Sequence, residues 1–144
     1  MKKNIQYILM IDDDEDDQML FKQALTEINK SVTFNTAING HDALKKLETP
    51  PPPDIIFLDL NMPIMNGFEC LAALKKEKKY EHIPVIIFTT ANDVGTIEQT
   101  RKLGASAFFH KPIDFGHLRE KLERLINVRA DKNAEMFSTT NFVL

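Results

Sequence analysis

The sequence predicts a doubly wound α/β fold, in which a five-stranded parallel sheet carries helices on both faces as a three-layer (βα)5 sandwich. Three observations predict it. Five short runs rich in apolar and β-branched residues recur along the chain, five segments with apolar residues at helical spacing alternate with them, and three of the runs end on an acid or a lysine. Strict alternation implies a parallel sheet buried on both faces, and right-handed crossovers make it doubly wound.

The first strand is expected over Ile5 to Ile11, followed by a helix with Met19, Leu20, Ala24, Leu25 and Ile28 as its apolar stripe. Val32 to Ala37 reads as the second strand, and Asn39-Gly40 opens a helix carrying Ala43, Leu44 and Leu47. Pro50 to Pro53 forms a stiff spacer before the third strand, Asp54 to Leu58, because proline cannot join a central ladder. Asn66-Gly67 starts the third helix, with Phe68, Leu71, Ala72 and Leu74 inward. Val85 to Thr89 is the fourth strand. Asp93 caps a helix marked by Val94, Ile97 and Leu103, and Ala107 to His110 is the fifth strand. Leu118, Leu122, Leu125 and Ile126 mark the last helix, after which the apolar period is lost. The domain is placed at 1–130, and Asp131 to Leu144 reads as a flexible tail.

Composition narrows the function classes. With 144 residues, 43% hydrophobic, the chain can bury the core of one domain without staples. A net charge of -3 offers no general attraction to nucleic acid, so direct nucleic-acid binding is not expected. The single cysteine, Cys70, fits a reducing, cytoplasmic setting and reads as a small buried hydrophobe. Met1-Lys2-Lys3 precedes an apolar stretch too short for a membrane span, which runs into six acidic residues from Asp12 to Asp17. His41, His82, His110 and His117 are scattered without ligand spacing and read as ordinary surface or flank residues.

The chemistry sits at strand ends. Asp12-Asp13 follow the first strand, Asp59 the third and Lys111 the fifth, and ligands of parallel sheets bind outside the carboxyl ends of the strands. Three carboxylates in one crevice raise each other's pKa unless a cation offsets them, and hard oxygen ligands suit Mg²⁺. Asp14, Glu15, Asp16 and Asp17 read instead as a solvated acidic turn favoured at the positive end of a helix. An EF-hand is excluded, since Asp17 replaces the turn glycine and Gln23 the bidentate glutamate.

With these positions assembled, the chain from about Ile5 to Val128 resembles the receiver domain of two-component response regulators, the family of the bacterial chemotaxis response regulator. Asp12-Asp13 match its acidic pair, Asp59 in Phe57-Leu58-Asp59-Leu60-Asn61-Met62-Pro63 its phosphoacceptor loop, Thr89 its switch hydroxyl, and Lys111-Pro112 its lysine. Asp59 to Thr89 is 30 positions and Thr89 to Lys111 is 22, similar to the chemotaxis regulator.

The resemblance implies a flavodoxin-like sheet. It implies a signalling protein, not an enzyme, that takes a phosphoryl group from a histidine kinase or histidine phosphotransfer protein onto Asp59. Mg²⁺ would be held by Asp13, Asp59 and the backbone carbonyl of Asn61, with Asp12 assisting through water. Lys111 and Thr89 would contact the phosphoryl oxygens, and the Lys111–Pro112 bond would be cis. Phe108, where tyrosine is frequent, would swing inward with Thr89 and remodel the face of the fourth helix, fifth strand and fifth helix. That face would serve the downstream protein target or a homodimer. The subtype is similar to single-domain regulators paired with phytochrome-type kinases, and a phosphorelay shuttle is a variant within the class. A haloacid dehalogenase-type phosphatase needs a second acid where this chain has Asn61. The remaining alternative, a receiver-like module for dimerisation or interaction that works without phosphorylation, is disfavoured by the full set Asp12, Asp13, Asp59, Thr89 and Lys111.

Overall fold

The structure is a computed structural model that describes residues 5–29, 31–127 and 142–144. Its elements run β1 (Tyr7–Ile11), α1 (Glu15–Ile28), β2 (Thr33–Ala37), α2 (Gly40–Leu47), β3 (Ile55–Leu58), α3 (Gly67–Lys76), β4 (Val85–Thr89), α4 (Val94–Lys102), β5 (Ala107–His110) and α5 (Phe115–Asn127). The strands are all parallel in the order β2-β1-β3-β4-β5, the predicted doubly wound sheet. β4 and β5 have the predicted bounds, and the first three strands begin one or two residues later than expected.

Side chains of a strand alternate between faces, and here each face builds its own core. Ile8, Met10, Ile55, Phe57, Ile86, Phe88, Ala107 and Phe109 pack with residues of α1 and α5. Leu9, Ile11, Ile56, Leu58, Val85, Ile87 and Phe108 pack with residues of α2 and α3, and Ile97 of α4 joins them. The central strands are buried along their whole length, which is why they read as continuous apolar runs.

The helix starts follow local chemistry. Asn39, Asn66 and Asp93 are the N-caps of α2, α3 and α4, and Asn66 with Glu69 closes a capping box. Asp14 caps α1, accepting from the N–H groups of Asp16 and Asp17.

Two predicted stripes need correction. Met19 and Leu20 of α1 are exposed, while Phe21 is fully buried with Ala24 and Leu25. The face 21, 24, 25, 28 keeps the i, i+3, i+4, i+7 spacing of a helix, and the ring of Phe21 packs edge-on to Phe57 and Phe88. In α4, Val94 is exposed at the first turn and Thr100 is buried in its place, its hydroxyl donating to the Ile97 carbonyl at 2.8 Å.

The expected tail also needs correction at its end. Residues 131–141 lie outside the described residues, but Phe142 is buried and Val143 forms a parallel bridge with Phe108 of β5. Backbone hydrogen bonds available at a sheet edge and an apolar site for the ring are the cause. The bond between Lys111 and Pro112 is not cis, and the one cis peptide among the described residues is Pro50–Pro51.

Candidate functional site

The ends of β1, β3 and β5 deliver the acids and the lysine to one crevice. The parallel ladder continues one residue past each of them: the N–H of Asp12 donates to Ala37 O at 2.9 Å, that of Asp59 to Ile11 O at 2.9 Å, and that of Lys111 to Thr89 O at 2.8 Å. The backbone under each functional side chain is therefore held by the sheet and not by a loop. Oxygens of Asp12, Asp13 and Asp59 lie within 4.8 Å of one another. Asp12 and Asp59 are buried and Asp13 is exposed, so the cluster opens to solvent on one side.

The carboxylates are oriented from behind. Oδ1 of Asp59 accepts from the N–H of Leu60 at 2.8 Å, and Oδ1 of Asp12 accepts from the N–H of Asp14 at 2.9 Å. The start of α3 presses against the Asp59 strand end. A Cβ on Gly67 would stand 2.3 Å from the Asp59 carbonyl oxygen and 2.6 Å from Leu60 Cα, so only glycine fits.

Lys111 Nζ reaches Asp17 Oδ2 at 2.7 Å, Asp12 Oδ2 at 2.9 Å and Asp59 Oδ2 at 3.5 Å. Burial works against its charge, but the hydrogen bonds to Asp17 and Asp12 outweigh burial and hold its pKa above the ordinary lysine range. Burial pushes Asp12 up to about 6, against the opposing pull of the Asp14 N–H and of Lys111. Asp17 is the residue that sequence reasoning missed. It reads as one more solvated acid in a run, but the first turn of α1 aims it back over the crevice. The signal for it is a partner 94 positions away, which local patterning does not carry.

Thr89 is fully buried, and its Oγ1 has no hydrogen-bond partner among the described residues. A buried donor without a partner costs stability, so it marks a place where a further acceptor fits. Thr89 follows Val85 and Ile87 on the face of β4 that meets α2 and α3, and Phe108 lies on the same face opposite Ile87. Thr89 and Phe108 are thus diagonal neighbours across the β4–β5 pair. Phe108 is already fully buried. Asn61, two residues past Asp59, is exposed.

The donor set is all oxygen, with three convergent carboxylates open on one side, and it fits a hard divalent cation that retains waters. One lysine against Asp12, Asp13, Asp17 and Asp59 leaves the crevice net negative, which a cation would offset. No histidine belongs to the metal-capable group found among the described residues. His41 and His82 are exposed, His110 has Nε2 2.9 Å from the Thr90 carbonyl, and exposed His117 pairs with Asp114. Cys70 is fully buried, and burial pushes its thiol up to about 12, an inert hydrophobe as expected. No helix among the described residues is long and apolar enough to cross a membrane.

A family model described as the response regulator receiver domain matches residues 8–123. A chemotaxis protein CheY homolog of Campylobacter jejuni is 29% identical over 127 residues, spanning 88% of this chain and 97% of its own length. Sporulation initiation phosphotransferase F of Bacillus subtilis is 31% identical over 118 residues, 81% of this chain and 93% of its own. By contrast, the chain spans 36% of a 34% identical protein-glutamate methylesterase/protein-glutamine glutaminase of Clostridium acetobutylicum and 82% of itself is matched. Among solved structures, the phosphorylated cyanobacterial phytochrome response regulator RcpA shares the fold with a TM-score of 0.78 at 23% identity, covering 94% of this chain and 96% of that one. The Mn²⁺-bound form of another response regulator does so with a TM-score of 0.77 at 23% identity, covering 85% and 96%.

Proposed function

Because this chain belongs to the response regulator receiver family, we propose that Asp59 accepts a phosphoryl group from a phosphohistidine donor and that the adduct changes the protein-binding face around β5. The observation that carries this reading is the convergence of Asp12, Asp13 and Asp59 on one crevice beside Lys111 and the unpartnered hydroxyl of Thr89.

In the transfer, a carboxylate oxygen of Asp59 attacks phosphorus. The new O–P bond forms as the P–N bond breaks, and the electron pair leaves with the imidazole nitrogen. The catalytic demand is positioning and charge neutralisation. The Leu60 N–H fixes the Asp59 carboxylate at 2.8 Å, so the nucleophile needs no reorientation. Mg²⁺, held by Asp13, Asp59 and the Asn61 backbone carbonyl with Asp12 assisting through water, would neutralise charge on the transferring oxygens. A Mn²⁺-bound protein of the same fold supports a divalent cation here.

Lys111 supplies the second positive charge. To contact a phosphoryl oxygen it gives up part of its hold on Asp17, whose side chain is 31% exposed and is readily resolvated. Thr89 then gains the acceptor it lacks, and its movement is felt by Phe108 across the β4–β5 pair. The adduct need only bind this arrangement better than the unphosphorylated one to shift the population.

The donor would be a histidine kinase or histidine phosphotransfer protein. A shallow concavity beside Lys111, lined by Leu20, Pro112, Ile113 and Phe115, supports a protein surface as the docking partner. Leu20 and Ile113 are exposed, and scattered apolar exposure beside a charged crevice suits a transient interface.

The test is intact-protein mass spectrometry after incubation with Mg²⁺ and acetyl phosphate, comparing wild type with Asp59→Asn. A single phosphoryl adduct that requires Mg²⁺ and is absent from the variant is expected. No adduct in wild type, even with a phosphorylated histidine kinase and rapid acid quench, overturns the reading in favour of a module that binds without phosphorylation.

A further inference from the structure

We propose that the edge of β5 is a strand-addition site for an extended segment led by an aromatic residue, that Phe142–Leu144 of this chain is its resident occupant, and that a protein using this edge must displace that segment. The edge and its occupant are defined by the fold alone, independently of the chemistry proposed at Asp59.

The two edges of the sheet are managed differently. β2, at one end of the strand order, places exposed Thr33 and Asn35 along its length. Polar, poorly buried edges of that kind discourage strand addition. β5, at the other end, reads Ala107-Phe108-Phe109, all buried, with no charge before His110. An apolar edge with free backbone groups is a template for another strand, and here one is in place.

Phe142–Leu144 satisfies both edge-facing groups of a single residue. The Phe108 N–H donates to Phe142 O at 2.7 Å, and the Leu144 N–H donates to Phe108 O at 2.8 Å, so Val143 sits in parallel register with Phe108. The side chains straddle the edge. Phe142 is 4% exposed and enters the cluster that contains Ile87 and Phe108, with the Arg101 guanidinium carbon 4.7 Å from its ring centroid. Leu144 packs against the cluster on the α1 and α5 side. Val143 points outward and is 53% exposed. An aromatic anchor, an indifferent central residue and an aliphatic third residue define the recognised pattern. Main-chain bonds supply affinity in such additions and the alternate side chains supply specificity.

The placement makes the contact competitive. The segment lies between α4 and α5 on β5, the face on which an output partner or second copy is expected to dock. Because the segment belongs to the same chain, its docking is intramolecular, so a free segment of equal intrinsic affinity loses unless it is concentrated or brings further contacts.

The experiment uses the full chain in three forms, wild type, Phe142→Ala and Val143→Ala, with a synthetic peptide of residues 138–144 as the probe. Amide hydrogen exchange by NMR is expected to show Phe108 protected in wild type and Val143→Ala and exchanging at least tenfold faster in Phe142→Ala, while the amides of Phe57 and Ile86 are unchanged. Titrated peptide is expected to shift the Phe108 amide of Phe142→Ala at concentrations at least tenfold below those needed for wild type. An unprotected Phe108 amide in wild type overturns the proposal. So does a peptide that binds Phe142→Ala no better than wild type.

Discussion

Replacing Asp12 by asparagine is expected to stabilise the metal-free protein at pH 8, although it removes an ion pair. The Asp12 side chain is buried, 2.9 Å from Lys111 Nζ, and burial raises its pKa from 3.8 to about 6. A folded-state pKa above the unfolded one means that the fold favours the protonated acid. Stability from this group is fully present below pH 3.8 and is lost as pH rises through about 6. A gap of roughly 2 units at about 1.4 kcal/mol each makes the ionised carboxylate cost about 3 kcal/mol at pH 8. Asparagine keeps an oxygen for the Asp14 N–H, now 2.9 Å away, and leaves Lys111 its contacts with Asp17 and Asp59. The raised pKa already includes the pull of Lys111, so the expected gain is on the order of 1–3 kcal/mol. The assay is urea denaturation in chelator at pH 8 and pH 4, with an unchanged m-value as the control for two-state behaviour. The midpoint should rise at pH 8 and the advantage should disappear at pH 4. A variant less stable than wild type at pH 8 in chelator would show instead that the Lys111 pairing, and not burial, dominates at Asp12.

Thr89→Val replaces a buried hydroxyl that has no partner by a methyl group, so the unphosphorylated protein should gain about 1 kcal/mol in thermal unfolding. Mass spectrometry should still find the Asp59 adduct, but NMR shifts at Phe108 should no longer respond to it. Gly67→Ala drives a methyl group into the backbone of Asp59 and Leu60, atoms that cannot swing aside, and should cost on the order of 1–3 kcal/mol in denaturant titration and slow labelling by acetyl phosphate. Ile64 is 77% exposed at φ 70°, a left-handed conformation that a β-branched residue adopts at a cost, so Ile64→Asn should raise stability by about 1 kcal/mol without affecting labelling.

What was legible in the sequence is what local physics decides. The caps Asn39, Asn66 and Asp93 were readable because an N-cap bonds N–H groups two or three residues away. β4 and β5 were readable because each is a continuous apolar run closed by one polar residue, Thr89 or His110. The convergence of Asp12, Asp13, Asp59 and Lys111 followed from parallel strands sharing one end. Three residues were misread for a common reason. Phe21 lost to Met19 and Leu20 because hydrophobicity alone does not set helix phase, and the sheet chose the ring that fits between Phe57 and Phe88. Asp17 and Phe142 owe their positions to Lys111 and Phe108, partners far away in sequence. Neither belongs to a periodic stretch that could have announced it.

These two misread residues bear on how the site and the β5 edge communicate. β5 is four residues long; it leads into Lys111 at one end, and its Phe108 holds Phe142 and Leu144 by the backbone. Thr89, Phe108 and Phe142 all lie on the side of the sheet that packs against α2 and α3, with Phe108 in the middle. If a phosphoryl group at Asp59 draws Thr89 toward it, any adjustment of Phe108 alters the ring contact and the backbone register on which Phe142–Leu144 depends. Linkage makes the effect reciprocal: whatever free energy phosphorylation takes from docking of the segment, docking takes from phosphorylation. Loss of the segment from the β5 edge would therefore favour the phosphorylated state by the same amount. The coupling requires no contact between the segment and the crevice, only that both bias the placement of one aromatic residue.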